Sequence, residues 1–407
     1  MNKQKLELIA STRFKNLRMD DGVKLDDLTI FIGPNCSGKS NVISMLNFLK
    51  DCVATSSEDE QGGQYENAVS QLGGTNSLDK NMTMPSDVIF RYRFSQTKTT
   101  PNGLNLDIKL FIGAKNSKIT IKEESLYDST QAQETPFYYY RYHDREVGKG
   151  VVSYYDDSRE KKSHFEHIDH IPNNSLGLNS THKLLEESEH PPERTPVYKT
   201  ARELIDTITN WHFYNSNNMN LKKIRTSEPK IGPGDIYLSK SGHNLALVID
   251  NLIQQDIDFE DALNKAMRSI LPTTRRLRPA RTRMSVNLEW HFQGFRTDEP
   301  FYLDEMSDGA VRMLCWATVL LSPKTPALLV IDEPELGLHV SWMPVLAEWI
   351  KMASEKTQVI ISTHSPDLLD CFTDQIGNVR CFSSADSEYF SIHPLSQSRL
   401  REKLDAR

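Results

Sequence analysis

The sequence predicts an α/β fold with an antiparallel β subdomain and an inserted, largely α-helical region, and three observations carry that expectation. An apolar strand at 25–32 (LDDLTIFI) runs into a Gly-rich turn and then into a helical pattern. Two later apolar runs, Ala327–Ile331 and Val359–Ile361, end in polar residues, as parallel strands do at the edge where ligands gather. Strand-like runs at 87–94 (DVIFRYRF), 105–112 (NLDIKLFI) and 118–122 (KITIK) follow one another closely enough to form an antiparallel sheet.

Taken in order, residues 5–9 (KLELI) read as the opening strand. Asn41–Lys50 carries Val42, Met45, Leu46 and Leu49 on one helical face. From Asp51 to Lys80 the composition turns to Ser, Gly, Gln and acids, which reads as a surface loop or a peripheral insertion. Residues 126–200 are rich in Tyr, His, Asp and Pro with little periodicity, and are expected to form a lateral arm. Helical patterns return at 201–209, 243–254 and 259–271, the last striped by Phe259, Leu263, Ala266, Met267, Ile270 and Leu271. The expected division is therefore 1–125, 126–235 for the inserted region, and 236–407.

The 407 residues suffice for two or three domains at about 150 residues each. Charged residues are 25% and the formal charge is −7, so a nucleic acid would need a local basic patch. Five scattered cysteines, none in a C-x-x-C pair, fit a reducing compartment and argue against a cysteine zinc site. The apolar runs fall far short of the ~20 residues that span a bilayer, and Met1–Ala10 lacks the core of a secretory signal. A cytoplasmic chain without membrane partners is expected.

Gly33-Pro34-Asn35-Cys36-Ser37-Gly38-Lys39-Ser40 fits G-x-x-x-x-G-K-[ST] between a strand and a helix, the context in which backbone N–H groups wrap phosphates. Lys39 then reaches the outer phosphates and the Ser40 hydroxyl can ligate Mg²⁺. Far along the chain, Asp332 and Glu333 end the run ALLVID, the first suited to an outer-sphere metal role and the second to a general base on water. His364 follows the strand VIIST and can bond the γ-phosphate or that water. Each motif alone has an ordinary reading, as a chance match, a turn or a surface histidine. Together they point to one sheet edge and to nucleotide binding.

GPNCSGKSN, MSDGAVRML (Met306–Leu314), LLVIDEPELGLH (Leu328–His339) and ISTHSPDLL (Ile361–Leu369) occur in that order. With YLSKSGHNLA (Tyr237–Ala246), they make residues 1–50 and 230–380 resemble an ABC-type P-loop ATPase head of the RecF, chromosome-maintenance and OLD (overcoming lysogenization defect) group. The resemblance implies ATP and Mg²⁺ as cofactors, with Gly33–Ser40 and Asn41 on the nucleotide and Ser40 and Asp332 on the metal. It implies Glu333, His364 and Lys39 as the catalytic residues. It also makes Ser307, Asp308 and Gly309 the signature, which contacts ATP held by the other protomer of an ATP-sandwich dimer, and Leu336–His339 the loop crossing that interface. The signature departs from the transporter LSGGQ, and Cys36 stands where Gly or Asn is frequent. For the family's Q-loop, Gln131 and Gln133 are available, neither ending a clear strand.

Other clusters each have a plainer reading. His164, His167 and His170, with Asp169 and Asn173, resemble the start of an HNH nuclease motif, the plain reading being a solvated histidine edge. Arg275, Arg276, Arg278, Arg281 and Arg283 lie between a helix and the strand Met284–Phe292 and could meet a phosphate backbone or be paired with acids. Tyr138–Tyr142 could stack bases or simply be core. Only 43 residues follow His364, too few for the TOPRIM nuclease domain of OLD enzymes. The resemblance thus implies a stand-alone AAA-family ATPase of anti-phage defence, a dimerising sensor with a separately encoded effector nuclease, TOPRIM-type or other. The alternative is a RecF-like repair ATPase that binds DNA itself; a transporter subunit is disfavoured by the signature.

Overall fold

The computed structural model describes residues 4–54, 64–73, 78, 86–113, 119–128, 136–146, 149–155, 165–172, 174–186, 196–227, 229–230, 234–294, 299–384 and 389–395. It divides into two compact units. Unit 1 is Met1–Asp26, Gly33–Trp211 and Arg380–Pro394, and unit 2 is Asp27–Ile32, His212–Val379 and Leu395–Arg407. In chain order the strands are β1 (Leu6–Phe14), β2 (Leu17–Lys24), β3 (Leu28–Ile32), β4 (Ser86–Phe94), β5 (Leu104–Ile112), β6 (Ile119–Asp128), β7 (Tyr138–Glu146), β8 (Lys149–Tyr155), β9 (Phe165–Pro172), β10 (Trp211–Asn215), β11 (Thr274–Arg281), β12 (Val286–Phe292), β13 (Leu328–Asp332), β14 (Gln358–Thr363), β15 (Val379–Ser384) and β16 (Phe390–Pro394).

In unit 1 the strands run in the order β15-β16-β2-β1-β4-β5-β6-β7-β8-β9, antiparallel except at the β16–β2 pair. β5 shows why: its residues alternate between buried and half-buried along the whole strand, the period of a sheet with one packed face. The helix α1 (Lys39–Val53) buries Val42, Met45, Leu46 and Leu49, as their spacing predicts. Residues 126–200, expected to form a lateral arm, extend the sheet by β7–β9 before the helices Gly177–Glu186 and Pro196–Thr209. Tyr140 and Tyr142 are fully buried and belong to the core. β2 was not anticipated, because its sequence LRMDDGVK offers too few apolar residues to read as a strand.

In unit 2, β10, β13, β14 and β3 are neighbours in that order, and β13, β14 and β3 are parallel. All residues of β13 and β14 are buried, the pattern of strands covered on both faces. The register sets Asp332 beside Ser362 and Thr363 beside Ile32, so three strands end level. A separate hairpin, β11–β12, carries the arginine cluster. Among the described residues, no helix is long and apolar enough to cross a membrane.

Candidate nucleotide site

The loop Gly33–Ser40 lies in unit 1, directly after β3 in the chain. Its shape is a matter of backbone. Gly38 has φ +101°, and a Cβ there would lie 2.4 Å from Leu17 Cδ2; a Cβ at Gly33 would lie 2.8 Å from that of Phe382. Cys36 also takes a left-handed φ of +63°. The β1–β2 turn braces the loop, since Asn16 donates to the Cys36 carbonyl (2.7 Å) and accepts from the Asn41 amide (2.7 Å). The sequence does not mark Asn16, since nothing near it signals contact with a loop twenty residues away. Lys39 is almost fully buried and its ammonium donates to the carbonyls of Gly33 (2.7 Å) and Pro34 (2.9 Å). No side chain caps the start of α1 and its first turn holds no acid, which suits an anion at that helix end.

The carboxyl ends of the parallel strands in unit 2 carry the polar groups. Asp332, largely buried, accepts from the Ser362 hydroxyl and from Asn215 Nδ2 (2.8 Å). Glu333 has φ +52°, a left-handed conformation costly for a side chain of this kind. Three bonds hold it there: its N–H donates to Ser362 O (2.9 Å), and its carbonyl accepts from Ser216 Oγ (2.6 Å) and from the Leu336 N–H (3.2 Å). The Glu333 carboxylate lies 3.2 Å from His364 Nδ1. Glu335 was not singled out in the sequence, yet its buried carboxylate accepts from the Thr363 hydroxyl (2.5 Å) and from the His364 N–H (3.4 Å), fixing the strand tip. Its Oε2 is buried without a protein partner among the described residues.

Asn215 ends β10, which lies beside β13, and Ser216 opens the short 3-10 turn that follows. Gln131 and Gln133, the glutamines available for a Q-loop, lie outside the described residues. The mark of Asn215 in the sequence is an apolar strand, WHFYN, that ends in a polar amide. The Ser216 carbonyl accepts from Arg312 Nη1 (2.6 Å), and Arg312 belongs to the helix Asp308–Leu320.

The signature forms the start of that helix. Ser307 is its N-cap, the hydroxyl accepting from Ala310 N (3.3 Å), while Asp308 pairs with Arg225 (2.6 Å). Gly309 is required by Trp342, whose ring carbon would lie 2.8 Å from an added Cβ. Gly337, at φ +75°, faces the Arg312 side chain, and Trp316 Nε1 donates to Pro334 O (2.9 Å). The helix thus packs on the turn that follows Asp332.

Three of the five clustered arginines are ion-paired: Arg276 with Glu260 (2.6 Å), Arg278 with Glu289 (2.8 Å) and Arg281 with Asp250 (2.9 Å). They stand on β11. His164 lies outside the described residues, and nothing is described of the His167 and His170 side chains. Among the described residues no group of three or more His, Cys, Asp or Glu could hold a metal.

A glycine-shaped loop entering a helix, an Asp-Glu pair ending a buried parallel strand, and a Ser-Thr-His tip on the next strand define a P-loop ATPase domain of the ABC type. The chain belongs to the family described as "AAA domain, putative AbiEii toxin, Type IV TA system", which matches residues 28–370. The fold is that of chromosome-maintenance heads: the crystal structure of the SMC head bound to the C-winged helix domain of ScpA is similar with a TM-score of 0.53 at 12% identity, over 97% of this chain and 99% of that one. The SMC head domain from Thermotoga maritima gives 0.45 at 11% identity, over 96% and 99%. No curated protein matches the chain.

Proposed function

We propose that this chain binds and hydrolyses ATP with Mg²⁺, and that ATP joins two copies into a sandwich that acts as a slow switch. The observation that carries it is the grouping of Asp332, Glu333 and His364 at strand ends in unit 2, each held by its own donors or acceptors. Lys39 and the uncapped start of α1 hold the phosphates of the substrate. For a divalent cation Ser40 offers a hard oxygen ligand and Asp332 an outer-sphere carboxylate, which Asn215 and Ser362 keep oriented. Bound Mg²⁺ would neutralise charge building on the phosphates. Glu333 takes the proton of the attacking water, and His364, beside it, orients that carboxylate and can reach the γ-phosphate. Ser307 and Gly309 act on the nucleotide of the second copy.

On the resemblance to stand-alone OLD-type ATPases, the switch restrains or releases a separately encoded effector nuclease in anti-phage defence. The RecF-like reading, with DNA held by Arg275–Arg283, loses support from the ion pairs that engage Arg276, Arg278 and Arg281.

The test is the mass in solution and the turnover of the wild type and Glu333→Gln, with and without Mg-ATP. The variant should bind ATP, lose turnover by at least about a hundredfold, and shift to a dimer or larger assembly. A size indifferent to ATP counts against the sandwich. The trapped form then serves as bait for the nuclease, and undiminished phage protection in a Lys39→Ala strain would exclude the defence role.

A further inference from the structure

We infer that Arg225 is the counter-charge that lets an acidic signature segment receive the triphosphate held by a second copy of this chain. The inference rests on the sandwich reading above and adds a residue to it. The segment Leu303–Asp308 (LDEMSD) carries Asp304, Glu305 and Asp308, all exposed, within six residues. Asp308 is the first residue of the signature helix, where a carboxylate offsets the partial positive charge that would otherwise attract an anion. Left alone, this segment repels a phosphate.

The short helix Leu221–Thr226 (LKKIRT) answers it with Lys222, Lys223 and Arg225. Arg225 makes three bonds to the segment: Nη2 donates to Asp308 Oδ1 (2.6 Å) and to Met306 O (2.8 Å), and Nε donates to Leu303 O (3.3 Å). The two carbonyls fix the guanidinium independently of the carboxylate, so the cation stays in place if Asp308 turns away. Its Nη1 has no protein partner among the described residues, and a guanidinium carries five N–H donors. The side chain retains 21% exposure while Asp308 is 66% exposed. A phosphate arriving at Ser307–Gly309 therefore meets a fixed cation with donors to spare, and Asp308 is the group it displaces.

A structural brace and a counter-charge give opposite results when the two partners are changed separately. In the Glu333→Gln background, the dissociation constant of the ATP-dependent dimer is measured by sedimentation, and ATP binding by the separate chain with a fluorescent analogue. Arg225→Gln is expected to weaken the dimer about tenfold or more, the effect of losing a charged hydrogen bond, and Arg225→Lys to recover part of it. Asp308→Asn, which breaks the same ion pair and so controls for folding of the segment, is expected to leave the dimer as tight or tighter. ATP binding by the separate chain stays within about twofold throughout, because the loop that grips the nucleotide is untouched. The inference is overturned if Arg225→Gln dimerises like its parent, or if Asp308→Asn weakens the dimer as much as Arg225→Gln does. If the Glu333→Gln parent itself fails to associate with ATP, the sandwich reading falls and takes this inference with it.

Discussion

The loop Gly33–Ser40 and the strand-end group Asp332–His364 are rigid for different reasons. The first is shaped by the main chain: two glycines stand where a Cβ would strike a neighbour, one of them at φ +101°, and Lys39 folds onto two of the loop's own carbonyls. The second is shaped by side chains, with Ser362, Asn215, Ser216 and Thr363 each delivering a hydroxyl or amide to a carboxylate or carbonyl. A backbone-built site fails as a whole when one Cβ is added. A side-chain relay loses one bond at a time and should decline in steps.

Gly38→Ala tests the first half of that contrast and carries the largest expected effect. The added methyl would sit 2.4 Å from a terminal carbon of Leu17, itself fully buried, and the residue would keep a φ that L-residues rarely adopt. Overpacking and strain together should cost about 3 kcal/mol or more, read as a fall in melting temperature and a loss of ATP binding. A variant that melts like the wild type and still binds ATP would show that the loop is not backbone-limited.

The same contrast explains what could be read from the chain. Backbone-shaped features leave marks in sequence, because glycine spacing reports φ and close approach; hence Gly33, Gly38 and the strand before them were legible, as were the fully apolar β13 and β14. Asn16, Asn215, Ser216 and Glu335 were not. Each is a common polar residue whose partner lies 20 to 117 positions away or across a strand tip, and no local pattern encodes such a pairing. The β7–β9 extension was missed for a related reason, since Tyr, His and Asp fill strands whose apolar alternation is weak. Arginines on β11 read as a basic patch because their carboxylate partners sit 11 to 31 residues distant.

Glu124 shows that a side-chain hold also operates within unit 1, and here the effect is intermediate. Its buried carboxylate accepts from the N–H groups of Gly177 (2.6 Å) and Leu178 (2.9 Å), at the start of the helix Gly177–Glu186, and from the Tyr140 hydroxyl. In Glu124→Gln the amide nitrogen must face one of the two backbone donors, whichever way it is turned, so about 1–3 kcal/mol should be lost. Burial raises the Glu124 pKa to about 7 from 4.5, against the pull of its three donors. The folded state therefore holds a proton that the unfolded state has released between those values, and the wild type loses stability as pH rises through that window. The variant lacks this titration. Denaturant melts from pH 5 to 8 should find the gap between the two proteins narrowing up to about pH 7 and level above it; a gap that widens with pH would place the carboxylate's charge in the opposite balance.

Ser216→Ala should have the smallest effect and is the sharpest test of the stepwise half of the comparison. The substitution removes the bond from Oγ to the Glu333 carbonyl (2.6 Å) but leaves the Ser216 main-chain carbonyl to accept from Arg312 (2.6 Å) and leaves Asn215 on Asp332. Only one of the three bonds that keep Glu333 at its left-handed φ is lost, the others being its own N–H to Ser362 O and the Leu336 N–H to its carbonyl. One hydrogen bond is worth about 1 kcal/mol, or roughly a fivefold change in rate if it is felt wholly at the base. Turnover should fall by that order while the affinity for ATP, which depends on Gly33–Ser40, and the melting temperature hardly move. A collapse of turnover to the level of Glu333→Gln would mean that the strand-end group is as brittle as the loop. A rise in KM with kcat unchanged would mean that Ser216 serves binding and that Ser362 and Leu336 suffice to hold the Glu333 backbone.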